Sequence, residues 1–364
     1  MAKEQKITGL SRDFIIHPGE TLAEVLEDRE MSQKELAIRT GMTEKHVSTI
    51  VNGVKPISVA FAKKLEYALG IEAKFWINLQ SNYDRELLEF EEMNNILEEE
   101  VSVLKNLKDV IEYWSELGWM KKEDNSAAKV LDLRKIMGIS DLTDIPELAY
   151  SAAFRAQVKN NKVDAYVVFA WQRMCEMLTR DIEIADEIDV EKLREKIPEI
   201  KKVMFMSANE VQNQLEKIFA ECGIAFKIVK NFRGAPVQGF IKKTEDDNLV
   251  LCMTIRNSFA DIFWFTLFHE IAHIIHGDTK NKFIDFESVS GEIESKADKF
   301  ARNALIPLSE FKRFAAQEDF SLSAIGGFAV ECGVSTFIVI GRLMKEGLIG
   351  WDCYSKERIR YKWA

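Results

Sequence analysis

Cysteine is scarce and scattered. The five cysteines, Cys175, Cys222, Cys252, Cys332 and Cys353, form no CxxC pair and are odd in number. That excludes a zinc ribbon and favours reduced thiols over a disulfide framework. Long apolar runs are missing too. No stretch reaches the roughly 18 residues that a membrane span needs, so no membrane partner is expected. The opening segment MAKEQKITGLSRD has no apolar centre. The expectation is therefore no secretory signal and a cytoplasmic protein. Internal repeats and low-complexity tracts are absent. Positive charge is in deficit: 49 Lys and Arg against 59 Asp and Glu leave a net charge of −10. This excludes a chain coated in basic surface but allows a local basic patch. What remains is 364 residues, 47% hydrophobic and 30% charged, the profile of a globular protein of two or three domains.

Helical periodicity dominates the first 200 residues. In MSQKELAIRTGM, Ser32 and Glu35 have the spacing of a capping box, and Gly41 breaks the helix that follows. Thr43 then caps TEKHVSTIVNG, which stops at Asn52-Gly53. Ser58 opens SVAFAKKLEYALG. Two short helices joined around a glycine form a helix-turn-helix pattern, with Leu36, Ala37, Val47 and Ile50 packing the pair together. Gln33, Lys34, Thr43, Glu44, Lys45, His46, Ser48 and Thr49 are left on or near exposed faces. Short polar and basic side chains there can reach base edges in a major groove. Between Ser32 and Lys64 there are six Lys/Arg against two Asp/Glu, a local balance of +4 that suits phosphate contact.

Residues 86–116 read as an acidic connecting helix or small coiled coil, and 125–200 as further helix broken at Pro146 and Pro198. No chemistry is legible there. After about residue 203 the pattern changes. A helix ending at Gly223 is followed by three β-rich runs, IAFKIVKNF, VQGFIKK and NLVLCMTIR, which predict a small sheet.

Histidine is also rare, and three of the five fall within FWFTLFHEIAHIIHGD, residues 263–278. HExxH on a helix sets His269 and His273 one turn apart on one face, where both imidazoles reach one zinc ion. Zinc lowers the pKa of a bound water to near neutrality, so Glu270 beside it can act as general base and then protonate the leaving amine. GEIESKADKFA adds Glu294 and Asp298 at ExxxD spacing. Glu294 completes a His2Glu set, and Asp298 can accept the other N–H of a ligand histidine. Glu292 and Glu287 are alternatives, Glu292 lying off the shared helical face. His276 could stabilise an oxyanion or bind substrate, or could simply be a helix-end histidine beside Gly277. Tyr354, Tyr361 and Arg302 are further oxyanion candidates. The segment IGGFAVECGVSTFIVIGRLMKEG also looks like a helix-turn-helix, but is read as core packing and groove wall.

Two resemblances accompany these motifs. HPGETLAEVLEDREMSQKELAIRTGMTEKHVSTIVNGVKPIS, followed by FAKKLEYALGIEAKFWINLQSNYD, resembles the Cro/cI-type fold of HigA-like antitoxins over residues 15–90. It implies that Gln33, Lys45, Ser48 and Thr49 face DNA and that the domain dimerises on a palindromic operator. DIFWFTLFHEIAHIIHG, ESKADKFARNALIP and GVSTFIVIGRLMKEGLI resemble the ImmA/IrrE-type metallopeptidases over residues 205–350. The arrangement is that of gluzincins, although Lys296 stands where many members carry Glu. This resemblance implies a zinc endopeptidase that relieves a cytoplasmic repressor.

The expected architecture is mainly α with a small β-sheet. It comprises an all-α DNA-binding domain over 1–90, a helical middle over 91–202 and an α+β zincin-like domain over 203–364. The expected function is a transcriptional regulator fused to a zinc-dependent endopeptidase. It would bind double-stranded operator DNA, with Thr43 among the contacts, and cleave a repressor or toxin partner. The alternative is a non-catalytic antitoxin or autorepressor whose zinc domain senses or binds a partner. A housekeeping peptidase using its first domain only to oligomerise leaves the polar groove-facing positions unexplained.

Overall fold

The computed structural model describes residues 12, 15–122, 125–149, 163–185, 187–244, 248–256, 259–278, 283–286 and 292–362. The chain forms two compact units, residues 1–104 with 122–133, and residues 105–121 with 134–364. Among the described residues no single helix is long and apolar enough to cross a membrane.

The first unit is helical. Its elements are α1 (Pro18–Asp28), α2 (Gln33–Thr40), α3 (Glu44–Val51), α4 (Val59–Leu69), α5 (Ala73–Asn95) and most of α6 (Glu98–Asn106). Hydroxyl caps start three of them. Ser32, Thr43 and Ser58 accept from the backbone N–H groups of Glu35, His46 and Phe61 at 3.1–3.2 Å. Only half of the expected capping box forms, because the Glu35 carboxylate turns one helical turn onward to Arg39. Gly41 ends α2 in the left-handed conformation, φ 61°, which a side chain would disfavour. Leu36, Ala37, Val47 and Ile50 are all buried, together with Leu22, Phe61, Leu65 and Trp76. The FWINLQ segment belongs to one long helix, α5, which carries the chain into the acidic stretch.

The second unit contains α7 (Lys108–Glu116), part of α8 (Ser126–Met137), α9 (Ile145–Ala149), α10 (Ala165–Thr179), α11 (Val190–Val203) and α12 (Ala208–Ala220) before its sheet. Pro198 does not break the chain as the sequence suggested. It lies inside α11, where the buried stripe Leu193, Ile200 and Val203 outweighs one lost backbone hydrogen bond. Pro146 sits at the start of α9, a position that needs no N–H donor.

All three β-rich runs become strands: β1 (Ile224–Val229), β2 (Val237–Lys243) and β3 (Leu249–Thr254). A fourth, β4 (Phe283–Phe286), completes a sheet of order β1-β3-β2-β4. β1 and β3 are parallel, and β2 runs antiparallel to both of its neighbours. β3 is buried at every residue, as expected of a central strand covered on both faces. One face carries α10: Phe240 meets Trp171 edge-on, and Lys242 pairs with Glu176. The other carries the main core. There Ile241, Leu251 and Met253 pack with α11, α12 and α13 (Ala260–His276), and with α14 (Glu292–Leu305), α15 (Leu308–Ala315), α16 (Leu322–Cys332) and α17 (Thr336–Lys345).

Candidate metal centre and nucleic-acid interface

The helix α13 is apolar on all sides because it is buried on all sides. Trp264, Leu267, Phe268 and Ile271 pack into the core and fix its rotation. That packing makes the histidine pair a rigid feature. His269 Nε2 and His273 Nε2 stand 3.0 Å apart. From α14, Glu294 Oε2 lies 3.0 Å from the first and 3.7 Å from the second. The opposite ring nitrogens are also held. His269 Nδ1 lies 2.9 Å from Asp298 Oδ1, and His273 Nδ1 lies 3.3 Å from Asp278 Oδ2.

The carboxylates select the tautomer that donates from Nδ1, so both Nε2 atoms present lone pairs. With a metal bound, the two Nε2 lone pairs and ionised Glu294 would offer it three acceptors; without one, protons on the imidazoles face Glu294 in its place. Four ligands around a tetrahedral zinc lie about 3.3–3.6 Å from one another, and this triangle fits one face of such a tetrahedron. His269, His273 and Glu294 are the group among the described residues able to hold a metal ion. Burial opposes ionisation of Glu294, but hydrogen bonds and charge from both histidines outweigh it and bring its carboxyl down to about 2. The hydrogen bond with His269 is the largest influence on Asp298, which is likewise lowered.

Glu270 is fully buried, and its carboxylate lies over Gly239 of β2. Sequence reasoning missed Gly239 and Asp278. Asp278 follows the helix-ending Gly277 and carried a faint signal as the nearest acid after HExxH. Gly239 had none, since only the folded sheet brings it under α13.

In the first unit, Thr43 and Lys45 are exposed and Gln33, Ser48 and Thr49 half-buried, all on α2, α3 or the turn between them. All three hydroxyls are already used locally: Thr43 caps α3, Thr49 donates to the His46 carbonyl at 2.8 Å, and Ser48 accepts from Asn52 Nδ2 at 3.2 Å. The His46 ring packs edge-on against Phe61.

The helix-turn-helix family matches residues 22–76, and the IrrE N-terminal-like domain, a peptidase family, matches residues 260–344. The chain joins a helix-turn-helix domain to an IrrE-like peptidase-family domain. Among solved structures, an addiction module antidote protein of a HigA family from Coxiella burnetii is 32% identical. That alignment spans 27% of this chain and 91% of the other, with a TM-score of 0.19. An antidote protein of a plasmid maintenance system from Nostoc punctiforme is 30% identical over 22% of this chain and 97% of its own, with a TM-score of 0.20. No curated protein matches.

Within the IrrE-like domain the remaining candidates separate. His276 is exposed at the helix end and packs against Phe300 rather than joining the cluster. Glu292 pairs with Lys296 at 2.8 Å, both largely exposed, and Glu287 lies outside the described residues. Tyr354 donates to the Phe320 carbonyl, and Tyr361 accepts from Trp264 Nε1 near the start of α13. Arg302 donates to the Asp298 carbonyl, which supports the loaded face of α14. The second helix-turn-helix look-alike is α16 and α17, bent by 109° around Gly333. Phe337, Ile338, Val339, Ile340, Leu343 and Met344 of α17 are buried, so this pair is core and offers no recognition face.

Proposed function

We propose that this protein is a DNA-binding regulator whose IrrE-like domain is a zinc-dependent endopeptidase acting on a protein partner, a repressor or a toxin. The observation that carries the reading is the convergence of His269 and His273 of α13 with Glu294 of α14, while Glu270 stands next to His269 on α13. These residue types in this geometry are those of a His2Glu hydrolase centre. Zinc, when bound, would supply an electrophilic centre that polarises a peptide carbonyl. Glu270 would serve as the base, and Asp298 and Asp278 would hold the histidines in their ligating tautomer. The helix-turn-helix domain would dimerise on an operator and contact it through Gln33, Thr43, Lys45, Ser48 and Thr49, with Lys45 meeting phosphate.

The test is a trap. Glu270→Gln keeps every ligand and removes the base. A partner that co-purifies with the Gln variant should gain a new N-terminus when incubated with the zinc-loaded wild type, and stay intact with the variant. A partner left whole by both would sink the peptidase reading. DNA binding is tested on the promoter of its own gene: Lys45→Ala should weaken the complex and lower the slope of log K against log salt by about one unit. An unchanged slope removes Lys45 from the interface.

A second reading keeps the metal but not the turnover: a sensor or partner-binding module on an antitoxin-like regulator. The complete burial of Glu270 favours it, since a working base must meet its substrate. The same trap separates the two, because a sensor behaves identically with Glu or Gln at 270.

A further inference from the structure

The register of β2 is broken at one place, directly beneath the proposed base. Against β3 the pairing runs unbroken from Gly239 to Lys243. Against β4, Val237 faces Phe286 and Gly239 faces Asp285, so Gln238 is an extra residue with no partner of its own across that ladder. This is a β-bulge, which re-aims side chains by disturbing the two-residue alternation.

The consequence is visible in which face each residue of β2 serves. Phe240 and Lys242 serve the α10 face, where they meet Trp171 and Glu176. Ile241 serves the α13 face. By parity Gly239 also faces α13, and Gln238 should face α10. Instead Gln238 Oε1 accepts a hydrogen bond from Thr266 Oγ1 of α13 at 3.0 Å. The bulge has placed two successive residues on the helix side. Thr266 and Glu270 are four residues apart and share one face of α13. While Gln238 ties down Thr266, Gly239 lies under Glu270. A Cβ at 239 would stand 2.1 Å from Glu270 Oε1, 2.5 Å from Cδ and 2.8 Å from Cγ. The carboxylate occupies the space that any other residue would fill.

We infer that the Gln238–Gly239 bulge is the seat of Glu270, with Gly239, Gln238 and Thr266 acting as positioning residues for the base. The inference rests on the peptidase reading, because it assigns these residues to the role proposed for Glu270. The missing side chain at Gly239 leaves the space that the carboxylate occupies. The Thr266–Gln238 hydrogen bond sets the height of the helix over the strand. None of the three belongs to the ligand set, so the metal should bind without them while the base loses its place.

Cobalt(II) in place of zinc gives a readout that needs no substrate, since its visible absorption senses the groups beside the metal. The full chain is loaded with cobalt as wild type, Glu270→Gln, Gly239→Ala and Thr266→Val. Gly239→Ala is expected to bind cobalt within about threefold of wild type, unlike the roughly 10–100-fold loss that disturbing a ligand's own partner brings. Its absorption should move to that of Glu270→Gln. Thr266→Val keeps the shape and removes only the hydrogen bond, so it should move the band the same way by less, and it carries the test if the alanine variant does not fold. Shortening the base should relieve the overlap: the melting temperature lost in Gly239→Ala should be partly restored in Gly239→Ala/Glu270→Asp. Wild-type spectra for Gly239→Ala and Thr266→Val, beside a shifted Glu270→Gln, would overturn the inference and leave the peptidase reading standing. A Glu270→Gln spectrum equal to wild type would overturn the reading itself, since Glu270 would then not lie beside the metal.

Discussion

Asp278 and Asp298 do the same work from opposite sides. Each lies against the Nδ1 of one histidine of the proposed centre, which leaves its Nε2 to face a metal. Losing either carboxylate leaves a ring free to rotate or to take the wrong tautomer. Asp298→Ala and Asp278→Ala are each expected to weaken zinc binding by about 10–100-fold, measured by competition with a chelator. Asp298→Ala should have the larger effect, because its contact is 0.4 Å shorter, 2.9 against 3.3 Å. Zinc affinity unchanged in both would remove them from the centre. At this scale the sequence was readable where roles follow helical spacing. His269, Glu270 and His273 lie within a single turn, and Glu294 and Asp298 lie one turn apart, so their faces could be derived. Gly239 and Asp278 were not readable. One depends on a strand lying under a helix, the other on how the chain leaves that helix.

The helix α13 is held at both ends by different means. Its C-terminus closes on Gly277 in the left-handed conformation. Its N-terminus is clasped by the end of the chain, beyond the residues matched by the IrrE-like family. The Ala260 N–H donates to the Ile359 carbonyl, and Arg360 forms a β-bridge with Phe259. Arg358 lies over the Phe259 ring and donates to both oxygens of Asp261 at 2.8 and 3.1 Å. The pair is nearly sealed, 8% and 9% exposed. Arg358→Ala leaves Asp261 buried and alone, a change worth about 3–5 kcal/mol. Urea unfolding of the second unit should therefore shift markedly to lower concentration, while the double change Arg358→Met/Asp261→Leu should recover much of the loss. An Arg358→Ala chain as stable as wild type would mean that the tail is ornamental. The aromatic and basic tail looked featureless in sequence because its partners lie about 100 positions away. Element type was legible from a buried face in the two helices of the helix-turn-helix and from β-rich runs between turn residues in the three strands, β3 being buried on both faces. β4 was missed because a four-residue run between polar segments has no period to read. The contrast between α3, with only Val47 and Ile50 buried, and α17, with six buried residues, separates a displayed recognition helix from a core one of similar pattern.

At the scale of the molecule, one chain carries a helix-turn-helix domain and an IrrE-like, peptidase-family domain. The net charge of −10 against a local +4 over residues 32–64 puts the phosphate-seeking surface in the first unit. The domain order was legible because each end has a motif of its own, whereas residues 91–202 carry no motif and the fold divides them between the two units. The most direct test of the account is a comparison of protein N-termini, by chemical labelling and mass spectrometry, in cells expressing wild type or Glu270→Gln at equal level and equal zinc content. The expected result is at least one internal cleavage, in a repressor-like or toxin-like protein, present with wild type and absent with the variant. Identical sets of N-termini in the two strains would contradict it.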